Sequence, residues 1–339
     1  MDLALLFYAY NVIHFSLKNH RGCSVLFISR LVFYFFIGLV VTCAGGTYPA
    51  PAMCATITKT KTLFTIQADF DHPSDVAVGN NGQIYVLDGV NNRVKVHSAS
   101  GKQLFSFGEA GTGAGTFKFP LGLGVDKEGR IYVADSGNHR VQVFSPEGKF
   151  LSQFSTDVSP NMIKPSDPTD VAVNSTLNRC YVVDNDNHHV IIYDLQKMAA
   201  LKIMGTMGME KEEFRFPFLI DIDSKGNIYI VEVINTRVQV FDPDGSFIST
   251  IGDWGVEKGE FYRPKGVAVD GTGRVLVSDS YLGVIQAFDQ EGRLLAIIGD
   301  EKGSVKKFKT PTGIFIDKKQ RLYVVEMLAD RVQIMELQD

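Results

Sequence analysis

From about residue 70 to the end of the chain, short stretches alternate apolar and polar residues and are separated by turns rich in Gly, Asp and Asn. Alternation with period two places one side chain in a core and the next outside, the signature of a half-buried strand. In the stretch Phe117 to Ser155, Leu123 and Val125 alternate before the turn DKEG. Ile131 and Val133 flank Tyr132 ahead of SGNH, Val141, Val143 and Phe144 follow, and Phe150, Leu151 and Phe154 come after SPEG. Four antiparallel strands in one repeat form a propeller blade.

The pattern recurs. IYVLDGVNNRVKVH starts at Ile84, IYVADSGNHRVQVF at Ile131, CYVVDNDNHHVIIY at Cys180, IYIVEVINTRVQVF at Ile228, VLVSDSYLGVIQAF at Val275 and LYVVEMLADRVQIM at Leu322. The starts lie 47, 49, 48, 47 and 47 residues apart, a period that marks a repeat architecture. Each unit opens near a proline, at Pro73, Pro120, Pro168, Pro217, Pro264 and Pro311. Proline suits the first residue of a strand, where no ladder donor is lost. The last unit has only three strands, and Thr62 to Ile66 in KTKTLFTIQ mimics the fourth strands GKQLFSFG and GRLLAIIG. An N-terminal strand completing the last blade would remove an open sheet edge.

The phrase PLGLGVDKEGRIYVADSGNHRVQVFSPEG resembles an NHL repeat, whose units follow P-x-G-V-A-V-D…I-Y-V-A-D-x-x-N-x-R-V-Q-V-F. The resemblance covers essentially residues 60–339. It implies an all-β, six-bladed propeller closed by the N-terminal strand, in which second-to-third and fourth-to-first connections share one face, the top.

Residues 1–54 read as a targeting segment and 55–339 as the propeller. Leu31 to Gly45 is an apolar run behind Arg21 and Arg30, shorter than the roughly 20 residues of a membrane span. A cut before Ala55 would place Ala52 and Cys54 at −3 and −1. A lipoprotein anchored at Cys43, or a membrane anchor over residues 31–45, is the rival. The expected location is exported, periplasmic or extracellular. After such a cut only Cys180 remains, so no disulfide framework exists.

Formal net charge is −4. The first 54 residues hold Lys18, Arg21 and Arg30 against Asp2, which leaves 31 basic and 37 acidic residues beyond them. That sign speaks against a nucleic-acid partner, which calls for a basic stripe. No Walker loop, GxSxG elbow, zinc ribbon or haem motif occurs.

Four carboxylate–guanidinium pairs recur five residues apart across the same hairpin: Asp88 with Arg93, Asp135 with Arg140, Glu232 with Arg237 and Glu326 with Arg331. A catalytic pair is needed once, so four copies read as loop fasteners. The departures mark candidate top-face binding residues. The third unit has His189 at the arginine position, after His188, and the fifth has Val284 there with Tyr281 and Leu282 on the loop. Asp221 stands where the other units carry Ala77, Gly124, Ala172, Ala268 and Phe315, and Trp254 is the single tryptophan. His72, His139 and His188 are the metal candidates, for zinc or calcium, although no HxH or HxxxH spacing joins them. No other cofactor is expected.

These features predict a monomeric, exported, non-catalytic scaffold whose top loops bind a protein, glycan or small ligand, with no nucleic-acid partner and membrane contact only through the N-terminal segment. The resemblance implies two alternatives: a metal-dependent propeller lyase, as among peptide-amidating lyases, and an RNA-binding NHL domain, as in tripartite-motif proteins.

Overall fold

The computed structural model describes residues 55–158 and 164–338. The targeting segment, Cys43 and the 31–45 run lie outside them, and no helix among the described residues is long and apolar enough to cross a membrane.

A long strand β1 (Thr56–Ile66) is followed by five runs of four strands and a final run of three. The first run is β2 (Asp75–Val78), β3 (Ile84–Asp88), β4 (Arg93–His97) and β5 (Gln103–Phe107). The second is β6 (Gly122–Val125), β7 (Ile131–Asp135), β8 (Arg140–Phe144) and β9 (Phe150–Ser155). The third is β10 (Pro168–Asn174), β11 (Arg179–Asp184), β12 (His189–Asp194) and β13 (Ala199–Met204). The fourth is β14 (Pro217–Ile222), β15 (Ile228–Glu232), β16 (Arg237–Phe241) and β17 (Phe247–Ile251). The fifth is β18 (Pro264–Val269), β19 (Val275–Asp279), β20 (Val284–Phe288) and β21 (Leu294–Ile298), and the last is β22 (Pro311–Ile316), β23 (Arg321–Glu326) and β24 (Arg331–Gln338).

The expectation of six separate blades is corrected by the sheet hydrogen bonding. Four runs stand as separate four-stranded sheets, and the other strands form one eight-stranded sheet in the order β18-β19-β20-β21-β1-β24-β23-β22. The cause is the length of β1. It has eleven residues where β21 has five, so it reaches two edges at once. Thr56, Ile57 and Thr58 pair in parallel with Ala296, Ile297 and Ile298, while Lys59 to Ile66 pair antiparallel with β24.

The first strands of the runs touch in succession around an axis: β2 meets β6, then β10, β14, β18 and β22, and β22 meets β2 again. The apolar core lies between neighbouring sheets. Tyr85, Leu87, Val94 and Val96 pack against Leu123, Ile131, Val133 and Phe144. At the seam between the chain's two ends, Ile66, Val76, Ile84 and Val86 pack against Tyr323, Val325, Val332 and Ile334. Each such side chain contributes about 1.5–3 kcal/mol when fully buried. The tyrosine of the repeat is wholly buried at Tyr132, Tyr229 and Tyr323. Its hydroxyl reaches the turn carboxylate six residues earlier, on Asp126, Asp223 and Asp317, which keeps the buried phenol hydrogen-bonded.

Candidate binding face

The second strand of every run ends on a fully buried acid: Asp88, Asp135, Asp184, Glu232, Asp279 or Glu326. Each accepts a hydrogen bond from the backbone N–H seventeen residues earlier, at Asp71 (2.7 Å), Lys118 (2.7 Å), Asp167 (3.0 Å), Arg215 (3.1 Å), Tyr262 (2.7 Å) and Lys309 (2.7 Å). The acid therefore ties the loop that enters a sheet to the hairpin of that sheet. In four runs the arginine five residues on donates Nε to the other oxygen, at 2.8 Å for Arg93, 2.7 Å for Arg140 and 2.5 Å for Arg237 and Arg331. Burial alone would raise the Glu326 pKa, but Arg331, the Lys309 N–H and Gln333 hold it below the usual glutamate range.

The two runs without arginine solve the same problem differently. His189 Nε2 lies 3.3 Å from Asp184 Oδ2 and draws the Asp184 pKa down against its burial. Asp279 instead accepts four backbone N–H groups, from Tyr262, Arg263, Tyr281 and Leu282, at 2.7 to 3.0 Å. The carboxylate stays satisfied, and the side chains at Tyr281 and Leu282 are released from the lock.

Hairpins and entry loops held this way share one face of the ring. Asn235 Nδ2 donates to Gly208 O (3.0 Å) and Arg237 Nη2 to Glu210 O (2.8 Å), which joins the hairpin of Ile234 to the loop of Met207 and Met209. The next entry loop folds back through pairing of Trp254 with Phe261, whose ring is fully buried. Gly252, at φ 79°, makes that fold-back possible, because a Cβ there would come within 2.1 Å of the Phe261 ring. The buried Phe261 holds the loop, and Trp254 stands 69% exposed at its tip. Tyr281 is 63% exposed and stacks on Tyr262 with ring centroids 4.2 Å apart. Leu282 is only half-buried, and Lys307 Nζ donates to its carbonyl at 2.9 Å. Met207, Met209, Ile234, Trp254, Val256 and Tyr281 thus present exposed apolar surface on neighbouring loops. Apolar surface gathered on rigid loops suits capture of a partner.

Behind this face, the inner strands are stapled by carboxylates. Asp75 accepts from Val76 N (2.8 Å) and, on the next strand of the ring, Leu123 N (3.0 Å). Asp170 does the same with Val171 N and Ile220 N, and Asp221 with Ile222 N and Val269 N, both at 2.8 Å. Burial pushes Asp75 and Asp221 up to about 7 and Asp170 well above the ordinary value, with Asp75 adding repulsion at Asp170. On the same ring, Lys265 Nζ sits 3.9 Å from the centre of the Phe218 ring, and burial, aided by Arg263, lowers its pKa to about 8.

Comparison with known proteins fits this geometry. The NHL repeat family pattern matches residues 70–96 and 117–144, within the first two runs of strands. The chain is an NHL-repeat β-propeller. A streptogramin B lyase structure is 12% identical, with a TM-score of 0.59 over 81% of this chain and 97% of that one. A protein of unknown function from Bacteroides thetaiotaomicron is 17% identical, with a TM-score of 0.61 over 84% and 73%. A catalytically inactive virginiamycin B lyase from Staphylococcus aureus, solved with quinupristin, is 14% identical, with a TM-score of 0.55 over 80% and 82%. Identities this low show a shared fold alone. The sequence matches none of the curated proteins.

In this NHL propeller the histidines chosen from sequence serve the joints between sheets. His139 and His188 take positive φ at the end of their hairpins, at 55° and 57°. His139 Nδ1 lies 2.5 Å from Ser166 O, while His188 Nδ1 accepts from Phe216 N (3.2 Å) and meets the Phe216 ring edge-on. Both His188 and His189 are buried, so neither is displayed to a partner. His72 lies at the seam, where its backbone N–H donates to Asp330 Oδ1 at 2.9 Å. The three metal candidates therefore belong to three different joints. Asp221 likewise has a structural task as a staple.

A second lock, on the opposite turns, escaped the sequence reading. Arg130, Arg274 and Arg321 each reach the aspartate four residues earlier, at 2.6 Å for Asp126, Asp270 and Asp317. The i to i+4 Asp–Arg spacing in DKEGR, DGTGR and DKKQR carried that signal.

The top lock is costly to break, whereas a surface ion pair is not. Arg140→Ala leaves Asp135 buried beside Asn138 and Gln142 without its cation, and is expected to cost about 3 kcal/mol in chemical denaturation. Arg293→Ala removes an ion pair whose arginine is 76% exposed, and should leave the denaturation midpoint unchanged.

Proposed function

We propose that this NHL propeller is an exported, non-catalytic binding protein that holds a protein or glycan partner against the loops of Trp254 and Tyr281. The observation that carries this reading is a tryptophan 69% exposed on a loop anchored by a fully buried phenylalanine. An exposed indole gains nothing for the fold, yet it supplies a large contact with only two torsions to freeze. The stacked Tyr262–Tyr281 pair extends the same surface. Export is supported by the apolar run at 31–45 behind Arg21 and Arg30, with residues 1–54 as targeting segment and 55–339 as working domain.

The double variant Trp254→Ala, Tyr281→Ser tests the surface. Full-length protein is immobilised and probed with a glycan array and with extracytoplasmic extract. The expected result is at least a tenfold loss of capture of whatever the native protein retains, with an unaltered melting temperature. Undiminished capture by the variant would refute the assignment.

A second reading, a lyase-like enzyme working at the ring axis, draws on Lys265, whose pKa burial lowers to about 8 beside the Phe218 ring. The lyase titles among the structural neighbours add to it only through the shared fold.

A further inference from the structure

We propose that Asp71, His72 and Asp330 form a binding site for a first-row divalent cation, with zinc the best match, that clasps the seam between the two ends of the ring. One ligand atom from each residue lies within 4.8 Å of the other two, and among the described residues this is the one such group. In a tetrahedral site two donors each about 2.1 Å from a shared zinc lie about 3.4 Å apart, a spacing these three side chains reach by small torsional adjustments. Two carboxylates and an imidazole make a mixed oxygen–nitrogen set. Calcium prefers oxygen alone, whereas imidazole favours zinc and its neighbours.

The site is preorganised by backbone. His72 has φ 50° and Asp330 φ 49°, and the two residues are already joined by the His72 N–H to Asp330 Oδ1 bond. Asp71 is fixed from behind, because its N–H donates to the buried Asp88. His72 Nδ1 and Asp71 Oδ1 are 2.5 Å apart, and they would have to separate by about an ångström to share a tetrahedral ion. Among the described residues, neither Asp71 nor Asp330 forms an ion pair with a lysine or arginine.

Comparison with the chain's own repeats separates this joint from the others. The positions of Asp71 and His72 correspond to Lys118 and Phe119, Asp167 and Pro168, Arg215 and Phe216, Tyr262 and Arg263, and Lys309 and Thr310. The hairpin residue matching Asp330 is Asn92, His139, His188, Thr236 or Gly283 at those joints. Asn92 and His188 accept from Phe119 N and Phe216 N, the same bond that Asp330 accepts from His72 N, so the seam differs in its charge and not in this hydrogen bond. Three of the other entry loops place a lysine or arginine where the seam places Asp71, and at the joint of Asp167 the facing hairpin residue is His139; at the seam a second acid, Asp330, faces the first. This is also the joint across which the chain's two ends meet, so an ion here adds a bond between elements far apart in sequence.

The test uses the full-length protein stripped with chelator and titrated with zinc chloride. The expected result is one ion bound per chain, with a rise in melting temperature that saturates at the same stoichiometry. Asp330→Asn keeps the acceptor for His72 N and should weaken zinc at least tenfold while the metal-free melting temperature holds. His72→Ala should do likewise, whereas His139→Ala should bind as the native protein does. Failure of the native protein to bind zinc at micromolar concentration, or binding that survives both seam variants, would overturn the proposal.

Discussion

Deleting Thr56–Ile66 is expected to abolish cooperative folding of the propeller. The strand closes both β21 and β24, so its loss opens two sheet edges at once. It also removes Ile66 from the seam core, where only 3% of that residue is exposed, and the buried bond from Thr60 Oγ1 to Gly299 O. A strand of eleven residues contributes about 0.5–1.5 kcal/mol for each backbone hydrogen bond it makes. The sum approaches the 5–15 kcal/mol total stability of an ordinary domain. The open edges would also pair between molecules. Thermal unfolding should lose its sharp transition, and light scattering should show aggregation at temperatures where the native chain is clear. A deleted form that melts sharply within a few degrees of the native protein would remove β1 from any closing role.

A point change grades the same effect. Ile66→Asp, which puts an unpaired charge into the seam while leaving the backbone pairing of β1 available, should fall between the native chain and the deletion.

How much of this was readable in the chain follows from which part of a residue carries each feature. The four-stranded grammar was legible because it lies in side chains: alternation at Leu123–Val125 or Ile131–Val133 and turn residues at fixed offsets. The fastener contacts were legible for the same reason, since Asp135 and Arg140 face each other directly across the hairpin. The joining of two runs into one eight-stranded sheet was not. It depends on the backbone of Thr56, Ile57 and Thr58, which resemble no part of the repeat, and backbone groups are common to all residues. The fate of the histidines was hidden too. That His139 and His188 would turn inward depends on left-handed backbone at their positions, and only the neighbouring sheet shows what each ring meets. Lys265 in PKGVAV gives no hint that its amine will lie on the Phe218 ring.

The three inner-strand acids bring a pH dependence opposite to that of surface ion pairs. Their contribution to stability should fall as pH rises from about 4 to about 8, and Asp221→Asn should flatten part of that slope. Asp75 and Asp221 are raised to about 7 in the folded chain, and Asp170 is raised as well, because burial disfavours their charged forms. An unfolded aspartate titrates near 3.9. Between those values the folded state holds protons that the unfolded state has released. Their stabilising share is therefore complete below about pH 4 and is lost as pH climbs through 7. Each such group adds a slope of up to about 1.4 kcal/mol per pH unit, and Asp221, which keeps some solvent contact, sits at the lower end. Carboxylates with lowered pKa act in the other direction. Asp184, drawn down by His189, and Glu326, drawn down by Arg331, lose their contribution as pH falls through their folded values. Unfolding free energy from urea titrations should therefore peak between about pH 4 and pH 6 and decline on both sides. In Asp221→Asn the amide has nothing to titrate, so the decline above the peak should shrink while the acid limb keeps its shape. An unchanged alkaline limb in this variant, or a native protein more stable at pH 8 than at pH 5, would show that the inner carboxylates stay ionised, held by their paired backbone N–H donors.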